Sequence, residues 1–185
     1  MPACGRPGKQ ALPLRGLSRT TRGPLVIASL GAIAAVFAAS ATSATDVVPC
    51  STAIRESPRP TGVSGLHLVL GRIWLPRRTV QLARRPGPGW DRFAKVGIVV
   101  RAGTPVVLEV PPRWRGVYSV EYAPKHVQTV ADGSTRLSIH ACAGELGKWS
   151  AYAGGYVVKR PRCVLLIVRV NGRTARVKIA IGRRC

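Results

Sequence analysis

The sequence predicts an all-β fold, and three observations carry that expectation. Short runs rich in Val, Ile, Leu and Tyr recur along the chain, bounded by Gly, Pro or Asn-Gly. Several of them alternate apolar with polar residues, the two-residue period of a half-buried strand. No segment shows a 3.6-residue apolar period flanked by helix caps. Aromatic residues make up only 5% of the 185-residue chain, so the core should be built from Val, Leu and Ile.

The N-terminus reads as a leader. Arg6, Lys9, Arg15, Arg19 and Arg22 form a basic start without an acid, and residues 25–41, "LVIASLGAIAAVFAASA", are uncharged and apolar. Two small-residue patterns, "ASA" at 39–41 and "TSA" at 42–44, then offer cleavage sites, so residues 1–44 have the three parts of a secretory signal peptide. The alternative is an uncleaved anchor formed by residues 25–41, at the short limit of a spanning helix and rich in Ala, Ser and Gly. Either way the remainder is expected outside the membrane. Residues 45–65, rich in Pro, Ser, Thr and Gly, read as an extended lead-in, and 66–185 as the β domain.

Within that domain, "LHLVLGRIWL" (66–75) is expected as a strand pair or one strand bulged at Gly71. Thr79 to Ala83 offers a short strand before the loop at Pro86-Gly87-Pro88-Gly89. Val96–Arg101 and Pro105–Val110, separated by Ala102-Gly103-Thr104, predict a hairpin. Residues 116–124, 135–142 and 155–160 read as further strands. Gly154-Gly155 predicts a tight bend with glycine at positive φ. Asn171-Gly172 between two β-rich runs predicts a two-residue type I′ turn. That turn sets Val170 opposite Arg173, Val168 opposite Ala175, Leu166 opposite Val177 and Val164 opposite Ile179. The expected architecture is an antiparallel β-sandwich, immunoglobulin-like in general outline, preceded by the N-terminal signal or hydrophobic helix.

Cys4 belongs to the leader. Cys50, Cys142, Cys163 and Cys185 remain, an even number in an exported domain, which predicts two disulfides. Four cysteines allow three pairings and the sequence does not choose among them. Cys142–Cys163 with Cys50–Cys185 is preferred, because the first closes a short loop around Gly154-Gly155 and the second pins both ends. The cysteines are too far apart for the close pairs of a zinc site, so no metal or other cofactor is expected.

The C-terminal half, in "PVVLEVPPRWR" (105–115), "IHAC" (139–142), "WSAYAGGYVV" (149–158), "RCVLLIVRV" (162–170) and "IGRRC" (181–185), resembles a group of uncharacterised secreted proteins of high-GC Gram-positive bacteria. The resemblance spans roughly residues 94–185. It implies an exported, β-rich, disulfide-bonded domain, and it transfers no activity and no catalytic residue.

Charge is the main functional clue. The chain has 29 basic residues against 7 acids, a net +22. Five of the basic residues lie in the leader, which leaves 24 against 7, a net +17. Biased coding explains Arg over Lys but not the scarcity of acids. Only His67, His126 and His140 could serve as histidine bases, the acids are scattered, and no nucleophile elbow, zinc motif or phosphate loop is present. Ser138 and His140 share a strand face, with no acid nearby in sequence to orient the imidazole. Trp74, Trp90, Trp114 and Trp149 each have a basic residue within two positions, a pairing that suits nucleobases, sugars or a lipid interface. It also fits, as the preferred reading, core residues with Arg stems laid over them. The expected function is a non-enzymatic cell-envelope or extracellular interaction module. Its partner is expected to be an anionic cell-wall polymer or membrane surface, and export argues against nucleic acid. Arg169, Arg176 and Lys178 on the outer face of the final hairpin, with Arg173 directly after the turn, are the candidate contact residues. The alternative is a secreted hydrolase or metal-binding enzyme assembled from distant residues.

Overall fold

A computed structural model describes residues 44–60, 62–85, 87–122, 127–142 and 148–185. Cys4, the apolar run 25–41 and His126 lie outside these residues. Thirteen strands follow one another along the described chain. They begin with β1 (Asp46–Val48), β2 (Arg55–Ser57), β3 (Leu66–Val69), β4 (Ile73–Pro76) and β5 (Arg92–Lys95). β6 (Ile98–Arg101), β7 (Val106–Glu109), β8 (Tyr118–Glu121) and β9 (Arg136–Ile139) come next. The last four are β10 (Trp149–Tyr152), β11 (Gly155–Val158), β12 (Arg162–Val170) and β13 (Arg173–Ile181).

The strands form three sheets, in the orders β1-β9-β7-β12-β13, β2-β10-β6-β4-β3 and β5-β11-β8. Every pairing between these strands is antiparallel except β1 with β9. The fold is therefore all-β, as the sequence predicts. β1 and β2, within the stretch expected as an extended lead-in, are edge strands of the two five-stranded sheets.

One apolar cluster draws on all three sheets: Leu108, Ile139 and Leu166 from the first, Ile73, Ile98 and Tyr152 from the second, Tyr118 and Tyr156 from the third. A second cluster, Val127, Val130 and Val157 with Phe93, covers the other face of the three-stranded sheet. Hence all four residues of β11 are buried, a continuous apolar run of the kind buried on both faces.

The last hairpin has the predicted register, with Val170 opposite Arg173 and Val164 opposite Ile179. Asn171 and Gly172 sit at φ 48° and 73°, the doubly positive pair of a type I′ turn. Val164, Leu166, Val168, Val177 and Ile179 are buried, while Arg169, Arg176 and Lys178 face out. "LHLVLGRIWL" is a strand pair, β3 with β4.

Four expectations are corrected. Val96–Arg101 and Pro105–Val110 do form strands, but not a hairpin. β6 lies between β10 and β4 while β7 lies between β9 and β12, so both edges of each are taken and residues 102–105 carry the chain from one sheet to another. Thr79 to Ala83 is not a strand; only Val80 and Ala83 make isolated bridges.

Gly154 and Gly155 are not among the residues at positive φ. They are needed for close approach. A Cβ on Gly154 would collide with the Glu121 carbonyl oxygen and the Tyr122 ring, and one on Gly155 with the Ala94 carbonyl. Here the chain passes from β10 in one sheet to β11 in another, between packed backbones.

The disulfides are Cys50–Cys142 and Cys163–Cys185, not Cys142–Cys163 and Cys50–Cys185. The first follows from the parallel pair: Val48 lies opposite Ile139, so two chains running the same way place cysteines just beyond each strand end side by side. The second ties the tail after β13 back to the start of β12.

Candidate anion-binding surface

The four residues singled out in the sequence are divided by the structure. Arg169 is committed within the fold: its Nε donates to Glu109 Oε2 at 2.9 Å and its Nη1 to the Thr174 hydroxyl at 3.2 Å. Glu109 also accepts from Arg136 at 3.4 Å. Arg173 lies at the turn and Arg176 opposite Ile167, both exposed. Lys178, opposite Leu165 near the other end of the hairpin, lines a groove of about 590 Å³ with Arg77, Arg78, Thr79, Ala180, Arg184 and Cys185.

Arg77 and Arg78 reach this groove because of one crossing segment. β4 ends at Pro76 in one sheet, and the chain then runs to the outer edge of β13 in the other. There Val80 N–H donates to Ala180 O at 2.8 Å and Gly182 N–H donates to Val80 O at 2.8 Å. Gly182, at φ +64°, turns the tail beside Leu82 and Pro161, and the Cys163–Cys185 bond holds the tail in place. Four side-chain cations thus line one groove with no side-chain carboxylate among them.

Five of the seven acids, Glu109 among them, are held in contacts elsewhere. Glu121 is ion-paired to Arg85, and Asp46 accepts the Ser134 hydroxyl. Asp91 accepts the Val130 N–H at 2.8 Å, and Asp132 accepts the N–H and hydroxyl of Thr129 at 2.8 and 2.9 Å. These carboxylates hold loops and strand ends in place, so they do not neutralise the groove. Among the described residues no carboxylate side chain pairs with these four cations. Cations concentrated in a concave site attract anions more strongly than the same charges spread over a convex face.

The tryptophans are half-buried, and a sequence neighbour covers Trp114 but not Trp149. Trp74 packs on Trp149 with ring centres 6.5 Å apart, and Arg101 rather than Lys148 lies over Trp149 at 5.9 Å. Arg72 donates to the Ala102 carbonyl at 3.0 Å. Arg113 does cover its neighbour Trp114, at 6.0 Å. Ser138 and His140 meet at 3.0 Å between Oγ and Nε2, and no carboxylate among the described residues bonds to the imidazole. No group of three or more His, Cys, Asp or Glu able to hold a metal ion occurs among the described residues.

Sequence reasoning missed Arg77, Arg78 and Arg184. Their signal was two doublets, Arg77-Arg78 and Arg183-Arg184, each just beyond a strand end, but nothing local says that the two strand ends meet. The sequence matches no protein-family model and no curated protein. The two disulfides are of the kind that persists in an oxidising compartment. No helix among the described residues is long and apolar enough to cross a membrane.

Proposed function

We propose that this protein is an exported, non-enzymatic module of the cell envelope or extracellular space that binds anionic polymers. The observation that carries this reading is the groove of Arg77, Arg78, Lys178 and Arg184 without an acidic side chain. The net charge of +22 supports it, as does the use of Glu109, Glu121, Asp91 and Asp132 in internal contacts. Export rests on the leader at residues 1–44, on the two disulfides and on the resemblance of residues 94–185 to secreted bacterial proteins. Retention by residues 25–41 as an anchor would leave the groove on the same side of the membrane. A sandwich of immunoglobulin-like outline is the architecture that fits this reading, and the shared core of the two five-stranded sheets supports it.

The test is polyphosphate binding by the purified chain across a salt series. Affinity should fall steeply from low to physiological salt, as counterion release requires. Replacing Arg77, Arg78, Lys178 and Arg184 with Ser should weaken binding at low salt by at least about tenfold while thermal unfolding changes little. Salt-independent affinity, or equal binding by the variant, overturns the reading.

A further inference from the structure

The cations do not stop at the groove. Past the Cys163–Cys185 disulfide lies a second cleft of about 450 Å³, where Arg160, Arg162 and Arg183 stand beside Trp114 and Cys163. A third, of about 320 Å³, shares Arg160 and Arg162 and adds Lys159. The groove and the second cleft meet at the disulfide, with Cys185 lining one and Cys163 the other, and with Arg183 and Arg184 adjacent in the chain. None of the three is lined by Asp or Glu. Trp114, whose buried indole N–H has no hydrogen-bond partner, stands in the second cleft.

Two geometric facts say what could occupy all three. Lys178 is three residues before Ile181, which pairs with Arg162, and Lys159 is three residues before Arg162. At strand rise Lys178 lies about 10 Å from the Ile181–Arg162 pair along β13, more than the ~8 Å over which exposed charges interact at physiological salt, and Lys159 lies beyond that pair, in the bend before β12. One small anion therefore cannot serve both ends. Arg162 also points to the opposite face of β12 from Cys163, because side chains alternate along a strand. The cationic path thus turns around the end of the hairpin, and a planar anionic surface would meet one side of it at a time.

We propose that the three clefts form one track for a single linear polyanion, a flexible chain with a negative charge on each repeat, laid across the Cys163–Cys185 disulfide from Lys178 to Lys159. The proposal rests on the anion-binding reading of the groove and adds the shape of the ligand and a second set of contacts, Lys159, Arg160, Arg162 and Arg183. A chain long enough to reach the far cleft gains a second, intramolecular binding event, and a short one does not.

The test compares polyphosphates of about five and about fifty phosphates at low salt, at equal phosphate concentration, with anionic vesicles as competitor. The purified chain should bind the long polymer at least about tenfold more tightly than the short one. The variant Arg160→Ser with Arg162→Ser should lose that advantage while its affinity for the short polymer stays within about twofold of the original. Retained short-chain binding also shows that the variant is folded. No length advantage, or an advantage that survives the substitutions, overturns the track and leaves the single groove standing. Vesicles that displace the long polymer more effectively than free polymer does would assign the surface to membranes instead. Failure to bind either length overturns the groove reading and the track together.

Discussion

The backbone N–H of Val80 donates to the carbonyl of Ala180 at 2.8 Å, and this contact joins two sheets that share no strand. It brings Arg77 and Arg78 beside Lys178 and Arg184. By contrast, Arg169 on the same hairpin is held by Glu109. Arg169→Ser is accordingly expected to reduce stability by about 1 kcal/mol or less and to leave polyphosphate affinity within about twofold. Arg77→Ser with Arg78→Ser should do the reverse, weakening binding with no measurable change in thermal unfolding. Parallel melting and binding curves on the two variants check this. A larger binding loss for Arg169→Ser would return the site to the turn end of the hairpin.

The two disulfides should differ in worth. Cys50–Cys142 spans 92 residues and Cys163–Cys185 spans 22. On chain entropy, removing the first by double Ser substitution should cost about 4–5 kcal/mol and removing the second about 3 kcal/mol. Denaturant unfolding of both variants measures the order, and peptide mapping without reduction reads the pairing directly. Recovery of a Cys142–Cys163 peptide would contradict the fold.

Gly154 and Gly155 lie where backbones touch. Alanine at either position has to displace the carbonyl of Glu121 or of Ala94, which should cost about 2–3 kcal/mol or prevent folding. Gly172→Ala meets no atom within 4 Å but keeps the strained φ of +73°, so about 1 kcal/mol is expected. Comparable losses at all three positions would show that the strand crossing tolerates the added carbon.

Alkali should unfold the protein. Burial, and next the charge of Tyr156, push the phenols of Tyr118 and Tyr122 well above the ordinary value of 10.0, and burial does the same to Tyr156 against a smaller opposing effect of its Tyr122 hydrogen bond. The folded state therefore keeps these protons where the unfolded chain loses them. Their contribution is complete below pH 10.0 and declines above it. Each fully buried phenol adds a slope of up to ~1.4 kcal/mol per pH unit. Stability measured from about pH 8 to about pH 11.5 should be nearly flat with respect to these groups up to about pH 10 and fall above it. Tyr118→Phe should make the fall shallower. Ionisation of these tyrosines at pH 10 in native protein, seen as phenolate absorbance, would be the contrary result.

The outer edge of β13 also calls for a test. β13 ends its sheet, and among the described residues no backbone segment pairs with that edge from Arg173 to Ile179. Arg176 and Lys178 stand opposite Ile167 and Leu165 on the outward face, and charge at an open edge opposes strand-to-strand association. Arg176→Val with Lys178→Val should shift the chain to larger assemblies than the original forms, detectable by sedimentation. An unchanged sedimentation coefficient would assign edge protection to other residues.

The C-terminal hairpin was legible in the sequence because its register depends on a two-residue turn and on alternation along two adjacent runs, both local properties. For that reason the sequence alone sets Lys178 on the outer face, opposite Leu165. The same alternation marks 116–124 and 135–142 as strands, yet it carries no information about which sheet each strand joins. The tertiary structure decided that residues 102–105 connect different sheets and that Cys50 meets Cys142 through the parallel pairing of β1 and β9. It also decided which cations line the groove and which are held by an acid among the described residues. Glu109 takes Arg169 from a strand far away in sequence, and the Val80–Ala180 contact supplies Arg77 and Arg78 in its place. Hydrophobic periodicity specifies only the direction of each side chain, whereas partners across a core are selected by how all the buried faces pack together.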